Sequence, residues 1–583
     1  MSAAKPRIEL AFVVPIALSL LLYLPGLWAD HYNDDWSQRL IAEGRAADYD
    51  ANPLRLYEFT RSPEHTRQLI DSGTLPWWSS PSLHLRFFRP LSSAVFAFEH
   101  RALGGSALVS HAHSLLWFAL LLVASARLFR AVLERRTALL ALWLLALSPH
   151  TSTGALWVAA RNGMCAATVA IFALDRYARA RKSGREPPTI GVAALFVLAL
   201  AFGEIALGFV PLLVALEWAL TPDSNWRTRI RTNAPTLAIA ATYLLLYGRF
   251  GYGAGGSGLY LDPFCELGQA LRELPIRLGV LLLDATLSVP SEIYLMAPAA
   301  RPALAAVGLG ATGLVALALH RTRDASSREE HRALVALFVG SLFAIAPGLF
   351  GILGGRLLSI GFVGFFAAIA ALWSRALSRR HDRRAAAYAT IAAIVAFRVV
   401  LATMFRAGMS AQNVACSVVE RRLATQHAIR CAHHADYALV DGADPALGMY
   451  AAPALALIDP SFGGTFRMLS MQPTTLLLAR TGPRTIELRA SEGTLTSFVF
   501  ADVFRSPREP FTAGTILRHR AMQTRILTVA SGRPERVEFT FDRPFETRET
   551  CLVRWRNQRL ESFDPPAQGQ TMRLEHERGP LGI

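Results

Sequence analysis

The sequence predicts an α-helical polytopic membrane protein with a C-terminal all-β soluble domain. Three observations carry this expectation. Of 583 residues, 52% are hydrophobic, and the mean hydropathy is +0.30. Apolar runs recur up to about residue 406, many approaching the ~20 residues a membrane helix needs. Beyond them come short alternating runs punctuated by Gly, Pro, Asp and Asn, the pattern of strands and turns.

The first apolar run, Ile8 to Trp28, follows Lys5 and Arg7. Its core is long for a cleaved signal peptide, and Leu27-Trp28-Ala29 is a poor cleavage pattern. It is read as a span with the N-terminus inside. Residues 29–106 then form a long, charged outer loop. Trp77, Trp78, Phe87 and Phe88 are expected as interface anchors. After Arg89-Pro90, a helix with Leu91, Val95 and Phe98 on one face suits the membrane surface.

Further apolar runs fall at 107–126, 137–149, 155–175, 189–202, 205–220, 232–248, 302–319, 332–350, 356–374 and 385–406. Residues 266–290 carry Glu266, Arg272, Glu273, Arg277 and Asp284, which are costly in lipid. They are read as re-entrant or interfacial. The total is then about eleven transmembrane helices, with the C-terminus outside. Arg127–Arg136, Arg176–Arg185, Arg227–Arg231, Arg321–Arg332 and Arg375–Arg384 bound five basic loops. All fall on the N-terminal side, as inner-face loops should. That placement accounts for the net charge of +16 and excludes nucleic acid as a partner. The implied domains are a membrane part, 1–406; a helical linker, 407–436; and a β-rich extracytoplasmic part, 437–583. Its strands are expected near Tyr437–Val440, Thr475–Leu478, Thr485–Leu488, Thr496–Phe500, Arg525–Val529, Arg536–Phe541 and Cys551–Trp555.

Five cysteines, Cys165, Cys265, Cys416, Cys431 and Cys551, show no metal-ligand spacing. Cys416 and Cys431 would lie about 22 Å apart along a straight helix, too far to bridge. A Cys431–Cys551 pairing stays open.

Candidate chemistry collects on the outer side. His31-Tyr32-Asn33-Asp34-Asp35-Trp36 sets two carboxylates just past the first span. An ordinary alternative is that Asn33 or Asp35 caps a helix. His111, His150, Arg161, Asn162, Glu204, Arg249 and Arg356 fall on the same side, with Arg89. Glu204 and Arg161 sit among apolar residues, so each needs a cavity or a partner. Arginines at a membrane rim suit a phosphate or diphosphate. A carboxylate within reach suits a general base toward a hydroxyl. A lipid-linked phosphosugar would use both, and attack opposite the leaving group would invert the anomeric carbon.

Several segments together resemble the GT-C superfamily, nearest to protein O-mannosyltransferase-like enzymes, including those with tetratricopeptide repeats. These are Asp34-Asp35 after the first span, Phe88-Arg89-Pro90-Leu91, Ser148-Pro149-His150, Trp157-Val158-Ala159-Ala160-Arg161-Asn162, and Arg356-Leu357-Leu358-Ser359. The likeness covers roughly residues 8–375. It implies a GT-C-like glycosyltransferase with a polyprenyl-phosphate sugar donor, Asp34 or Asp35 as catalytic base, and Arg89, Arg161, Arg249 and Arg356 toward the donor phosphate. His150, Asn162, Glu204 and His111 would support them. Three departures stand out. Gly203 replaces a lysine before Glu204, Ser114 stands where an asparagine is expected, and the repeats are absent. No cofactor is assigned; a divalent cation, magnesium or manganese, is left open. The implied setting is a bacterial-type inner membrane, with an unknown protein or glycan acceptor. A lipid-linked sugar transporter or a non-catalytic membrane scaffold is the alternative.

Overall fold

A computed structural model describes residues 9–264, 266–358, 360–378, 385–432, 435–459, 462 and 464–582. Cys265, Ser359 and the basic residues Arg379, Arg380, Arg383 and Arg384 lie outside the described residues.

Each apolar run named above is helical over most of its described residues. The elements are α1 (Leu10–Tyr23), α2 (Asp34–Ala42), α3 (Pro63–Ser72), α4 (Pro90–Ala102), α5 (Ala107–Val132), α6 (Arg135–Ala146), α7 (His150–Leu156), α8 (Arg161–Lys182) and α9 (Thr189–Phe202). Then come α10 (Phe209–Leu220), α11 (Trp226–Arg249), α12 (Leu267–Leu287), α13 (Ile293–Met296), α14 (Arg301–Arg321), α15 (Arg328–Ala344), α16 (Phe362–Ser378) and α17 (Ala385–Thr425). Among the described residues, five helical stretches are long and apolar enough to cross a membrane: Leu10–Trp28, Ala107–Val132, Val158–Lys182, Pro298–Arg321 and Arg328–Phe350.

The basic loops meet at one end of the bundle. Asp175 takes Arg127 at 2.9 Å and Arg179 at 2.5 Å. Arg136 donates to Ser378 at 2.9 Å, Lys182 pairs with Glu329 at 3.2 Å, and Arg375 donates to Ser326 at 2.7 Å. Four separate connections therefore share one face, as their composition implied.

Within residues 266–290 lies α12 (Leu267–Leu287), which runs beside α14. Gly279 faces Ala305 and Gly308 faces Leu283, so the contacts advance together and the two helices run parallel. A Cβ on Gly308 would strike the Gly279 carbonyl, which is why small residues are needed there. Between them the chain doubles back: Tyr294 donates to Glu273 at 2.9 Å, and Arg301 stacks on the Tyr294 ring at 4.0 Å. Arg277 is buried against the carbonyls of Leu259, Leu349 and Gly351 at 2.7–3.0 Å.

The loop 29–106 is folded, not extended along a surface. Trp77 and Trp78 are 3% and 1% exposed, so they are not interface anchors. They pack against Phe504, Phe511 and Phe539 of the C-terminal part. α4 buries its polar face, Ser92, Ser93, Glu99 and His100, and turns Phe98 outward. Strand β1 (His84–Arg86) pairs with β2 (Gly253–Gly255), tying the loop to the connection after α11.

α17 runs 41 residues, about 60 Å at 1.5 Å per residue, so the linker is its continuation as far as Thr425. The C-terminal part is α+β and not all-β. β3 (Asp436–Leu439) runs parallel to its neighbour β4 (Phe466–Met468), and α18 (Ala451–Ile458) makes the crossover. Its other strands are β5 (Leu476–Gly482), β6 (Thr485–Ala490), β7 (Ile516–His519), β8 (Met522–Ala530), β9 (Arg533–Phe541), β10 (Thr550–Arg556), β11 (Arg559–Phe563) and β12 (Thr571–Leu574). One sheet has the order β11-β10-β3-β4; the antiparallel second has β12-β5-β6-β9-β8-β7. Val537, Phe539 and Phe541 alternate inward along β9, the period-2 pattern that marked it as a strand. Residues 496–500 form no strand; a 3-10 turn, Val499–Val503, begins within them.

Cys431 and Cys551 form a disulfide with Cα atoms 6.2 Å apart, closing a separation of 120 residues. A loop of that size gives a cross-link its largest effect on the unfolded chain. Replacing both cysteines by serine is expected to lower unfolding free energy by about 2–5 kcal/mol, measured by denaturation of purified protein. A melting profile unchanged by reductant would exclude the bond.

Candidate functional site

The site starts with a strained residue. Asn33 has φ 54° and ψ −132°, a region a side-chain-bearing residue rarely occupies. Glu420 on α17 holds it there: its Oε2 accepts the Asn33 amide and the Trp36 indole N–H, both at 2.8 Å. α2 then opens on Asp34 and Asp35, where unpaired helix N–H groups favour negative charge.

Successive helix residues point about 100° apart, so the acid pair diverges. Asp35 is 0% exposed. It accepts the Ala159 amide at 2.7 Å and the Tyr32 amide at 3.3 Å, which docks α2 on the turn before α8. Asp34 instead faces a cavity of about 1400 Å³, whose lining it shares with Tyr450. Burial pushes the Asp34 carboxyl upward, while Tyr450, Arg356 and Arg89 pull it back. Burial pushes Asp35 up to about 8 against its two backbone donors.

The cavity lining mixes two kinds of side chain. Asp34, Gln38, Arg89, Glu204, Glu292, Arg356 and Tyr450 are polar. Leu207, Leu244, Phe264, Leu295 and Met296 add apolar lining, as do the rings of Tyr243 and Tyr247. Such a cavity can take a molecule with an anionic head and a hydrocarbon body.

Arg89 and Glu204 come together as a two-point ion pair, with Nε to Oε2 at 3.0 Å and Nη2 to Oε1 closing the fork. The guanidinium also lies over Tyr57 and Phe87 at 5.1 and 4.7 Å. Gly203 fits this packing. A Cβ there would lie 3.3 Å from Asn162 Nδ2 and 3.8 Å from Arg89 Nε. Asn162 therefore backs the pair rather than lining the cavity. Arg356 lines the cavity from the turn Gly355–Leu358 and lies 5.7 Å from the Trp157 ring. A Cβ on Gly354 would sit 2.8 Å from both Arg356 Nη1 and Glu292 Oε1, so glycine leaves them room.

The other predicted residues lie off the cavity. Arg161 is buried and binds Glu99 at 2.5 Å, Ser110 at 3.0 Å and Ser114 at 3.2 Å. It ties α8 to α4 and α5, and Ser114 in place of the expected asparagine supplies one of its acceptors. His111 is buried with Nε2 3.2 Å from the Asp30 carbonyl. His150 pairs with Asp284 at 3.3 Å and stacks on Phe362. Gly355 passes so close that a Cβ there would lie 2.5 Å from His150 Nδ1, so His150 supports the turn that carries Arg356. Arg249 is exposed at the end of α11 and does not line the cavity. Among the described residues no group of three or more His, Cys, Asp and Glu converges to hold a metal.

Two residues of this neighbourhood had no sequence signal. Glu420 lies in the linker helix and Tyr450 in the C-terminal part. Both are far from Asp34 in the chain, and only long-range packing joins them.

No protein family matches the chain, and no curated protein matches its sequence. Among solved structures, it is similar to the oligosaccharyltransferase of Archaeoglobus fulgidus in the apo form. Identity is 13%, coverage 79% of this chain and 64% of that one, and the TM-score 0.42. The archaeal oligosaccharyltransferase AglB from the same organism, in complex with an inhibitory peptide and a dolichol-phosphate, matches at 12% identity over 78% and 64%, with a TM-score of 0.38. The chain thus spans just under two thirds of the length of these structures.

Glu420 generates a pH prediction. Burial pushes its carboxyl up to about 8, with Asp35 and Asp444 adding to the rise and the Asn33 and Trp36 donors opposing it. A folded-state value above the unfolded one gives stability that is full below about 4.5 and lost as pH climbs through about 8. Glu420→Gln keeps an oxygen for both donors and removes the titration. Its stability is expected to change less with pH than that of the wild type over that window, measured by thermal unfolding. Parallel pH profiles for the two would refute the assignment.

Proposed function

We propose that the chain is a GT-C-like integral membrane glycosyltransferase. It takes a sugar from a polyprenyl-phosphate donor and passes it to an acceptor hydroxyl on the outer face. One observation carries the reading: of the acid pair, Asp34 alone lines the cavity, in a lining that also holds Arg356 and many apolar side chains.

In the proposed reaction, the acceptor oxygen attacks the anomeric carbon opposite the phosphate. Asp34 takes the hydroxyl proton as general base. The bond from the anomeric carbon to the phosphate oxygen breaks, and its electron pair leaves with the polyprenyl phosphate. Arg356 stabilises that developing charge, and the product has the inverted configuration. Arg89, already paired with Glu204, shapes the cavity lining without holding the phosphate itself. Asp35, Arg161, His150, Asn162 and His111 act through structure, and Arg249 takes no part in the site.

The membrane arrangement belongs to the same proposal: eleven crossings, N-terminus inside and C-terminal part in the periplasm of a bacterial-type inner membrane. The shared face of the basic loops supports it. So does the Cys431–Cys551 bond, since disulfides persist in oxidising compartments.

The test is incubation of purified protein with a panel of polyprenyl-phosphate sugars, measuring release of polyprenyl phosphate and the anomer formed. Asp34→Asn is expected to lower turnover by about 10²–10⁴-fold with normal folded yield. Arg356→Ala is expected to cost about 10²–10³-fold. Asp35→Asn should show its effect in folded yield. Turnover undiminished in Asp34→Asn removes the base, and donor carried across vesicles with its glycosidic bond intact makes the protein a transporter.

A further inference from the structure

The C-terminal part reaches into the cavity through one turn. Residues 446–450 form a π-helical turn that leads into α18, ending on Tyr450. Pro453 explains the widening. It has no N–H to give and its ring crowds the carbonyl four residues back, so the regular ladder cannot continue through Met449. Single π-turns of this kind re-aim side chains and cluster at functional sites.

Tight local bonding fixes the turn. Asp444 is 1% exposed. Its Oδ1 accepts the Ala446 amide at 2.9 Å, and its backbone carbonyl accepts those of Leu447 and Gly448, each at 2.9 Å. Its Oδ2 accepts the Leu581 amide at 2.6 Å, so the segment after β12 straps the turn down. Leu581 itself lines the cavity, as Tyr450 does. Gly448 packs against Gly442 and Met468, where a Cβ would lie 2.6 Å from the Met468 sulfur. With the turn clamped in this way, Tyr450 is held at the cavity whose lining it shares with Asp34, and its phenol favours the Asp34 carboxylate.

We propose that Tyr450 is a positioning residue of the transfer reaction: its hydroxyl fixes the orientation in which Asp34 meets the acceptor, so that the C-terminal part completes the site. This rests on the reading of Asp34 as the base. The phenol keeps its proton, since burial and the neighbouring Asp34 and Glu420 carboxylates all oppose its loss. It is therefore a donor to the carboxylate and favours its charged form. The other groups facing Asp34 are Arg356 from the turn before α16, Arg89 before α4, Tyr260 from the connection after β2, and Asp35 on α2 itself. Tyr450 is the group supplied from the C-terminal part.

The experiment compares full-length wild type, Tyr450→Phe and Tyr450→Gln in two readouts. The first needs no activity. A hydrophobic carbodiimide modifies protonated carboxyls, and peptide fragmentation locates the label at Asp34, with Asp34→Asn as blank. In Tyr450→Phe the pH of half-modification is expected to move upward by about 1. Tyr450→Gln, which keeps an N–H donor, should fall between. The second readout is the pH profile of kcat. Tyr450→Phe should lower kcat at neutral pH about tenfold or more, leave KM for the donor within twofold, and shift the acid limb upward with the modification curve. Half-modification at the wild-type pH in both variants overturns the proposal, as does a wild-type kcat profile in Tyr450→Phe. If the modification curve shifts but wild type cleaves no donor of the panel, the glycosyltransferase reading fails while the contact with Asp34 stands.

Discussion

Two buried carboxylates, Asp35 and Glu420, hold a third, Asp34, at a cavity wall. Among the described residues neither of the two forms an ion pair; both accept N–H donors, Asp35 on each of its oxygens and Glu420 on Oε2 alone. Removing a carboxylate from water is expensive unless its oxygens find donors. Here the donors are the backbone amides of Tyr32, Asn33 and Ala159 and one indole. Each bond crosses between elements or stabilises an unfavourable backbone. The Ala159 bond fixes α2 on the α8 side, and the Glu420 bonds fix its start on α17. Together they leave α2 with a single rotation, and that rotation turns Asp34 outward.

The same arrangement explains why the site needs the whole chain. The cavity wall draws on the loop after the first span, the connections after α7, α9, α11 and α15, and the turn after β3. α17 carries Glu420 beyond the bundle, and the disulfide then joins the chain just past α17 to β10. The loop grips the C-terminal part from the other side through Trp77 and Trp78, whose aromatic neighbours belong to that part. With both sides of the junction bound, the turn ending in Tyr450 has little freedom to leave the cavity.

The bundle was legible because its signals are local and repeated. Apolar runs gave the helices, and arginine clusters gave one shared face. The divergence of Asp34 and Asp35 follows from helix geometry, but which one faces the cavity depends on Ala159, more than a hundred residues away. Arg161 was correctly read as needing a cavity or a partner. The partner is Glu99, presented by a helix that buries its polar face, the reverse of what an isolated surface helix would do. Trp77 and Trp78 suited an interface by composition, and only the docked β-rich part buries them. α18 was missed because an eight-residue apolar helix containing Pro453 has no periodicity strong enough to compete with the strand pattern around it.

On the proposed reaction, opposing influences set the strength of the base. Burial favours the neutral acid; the Tyr450 hydroxyl, Arg356 and Arg89 favour the carboxylate. A base too weak does not take the proton, and one too strong is protonated before the acceptor arrives. An anionic donor bound at Arg356 would offset part of that guanidinium's field at Asp34. The carboxylate then becomes more basic when the sugar is in place. The field of Arg356 at Asp34 is thus what would couple donor binding to proton removal.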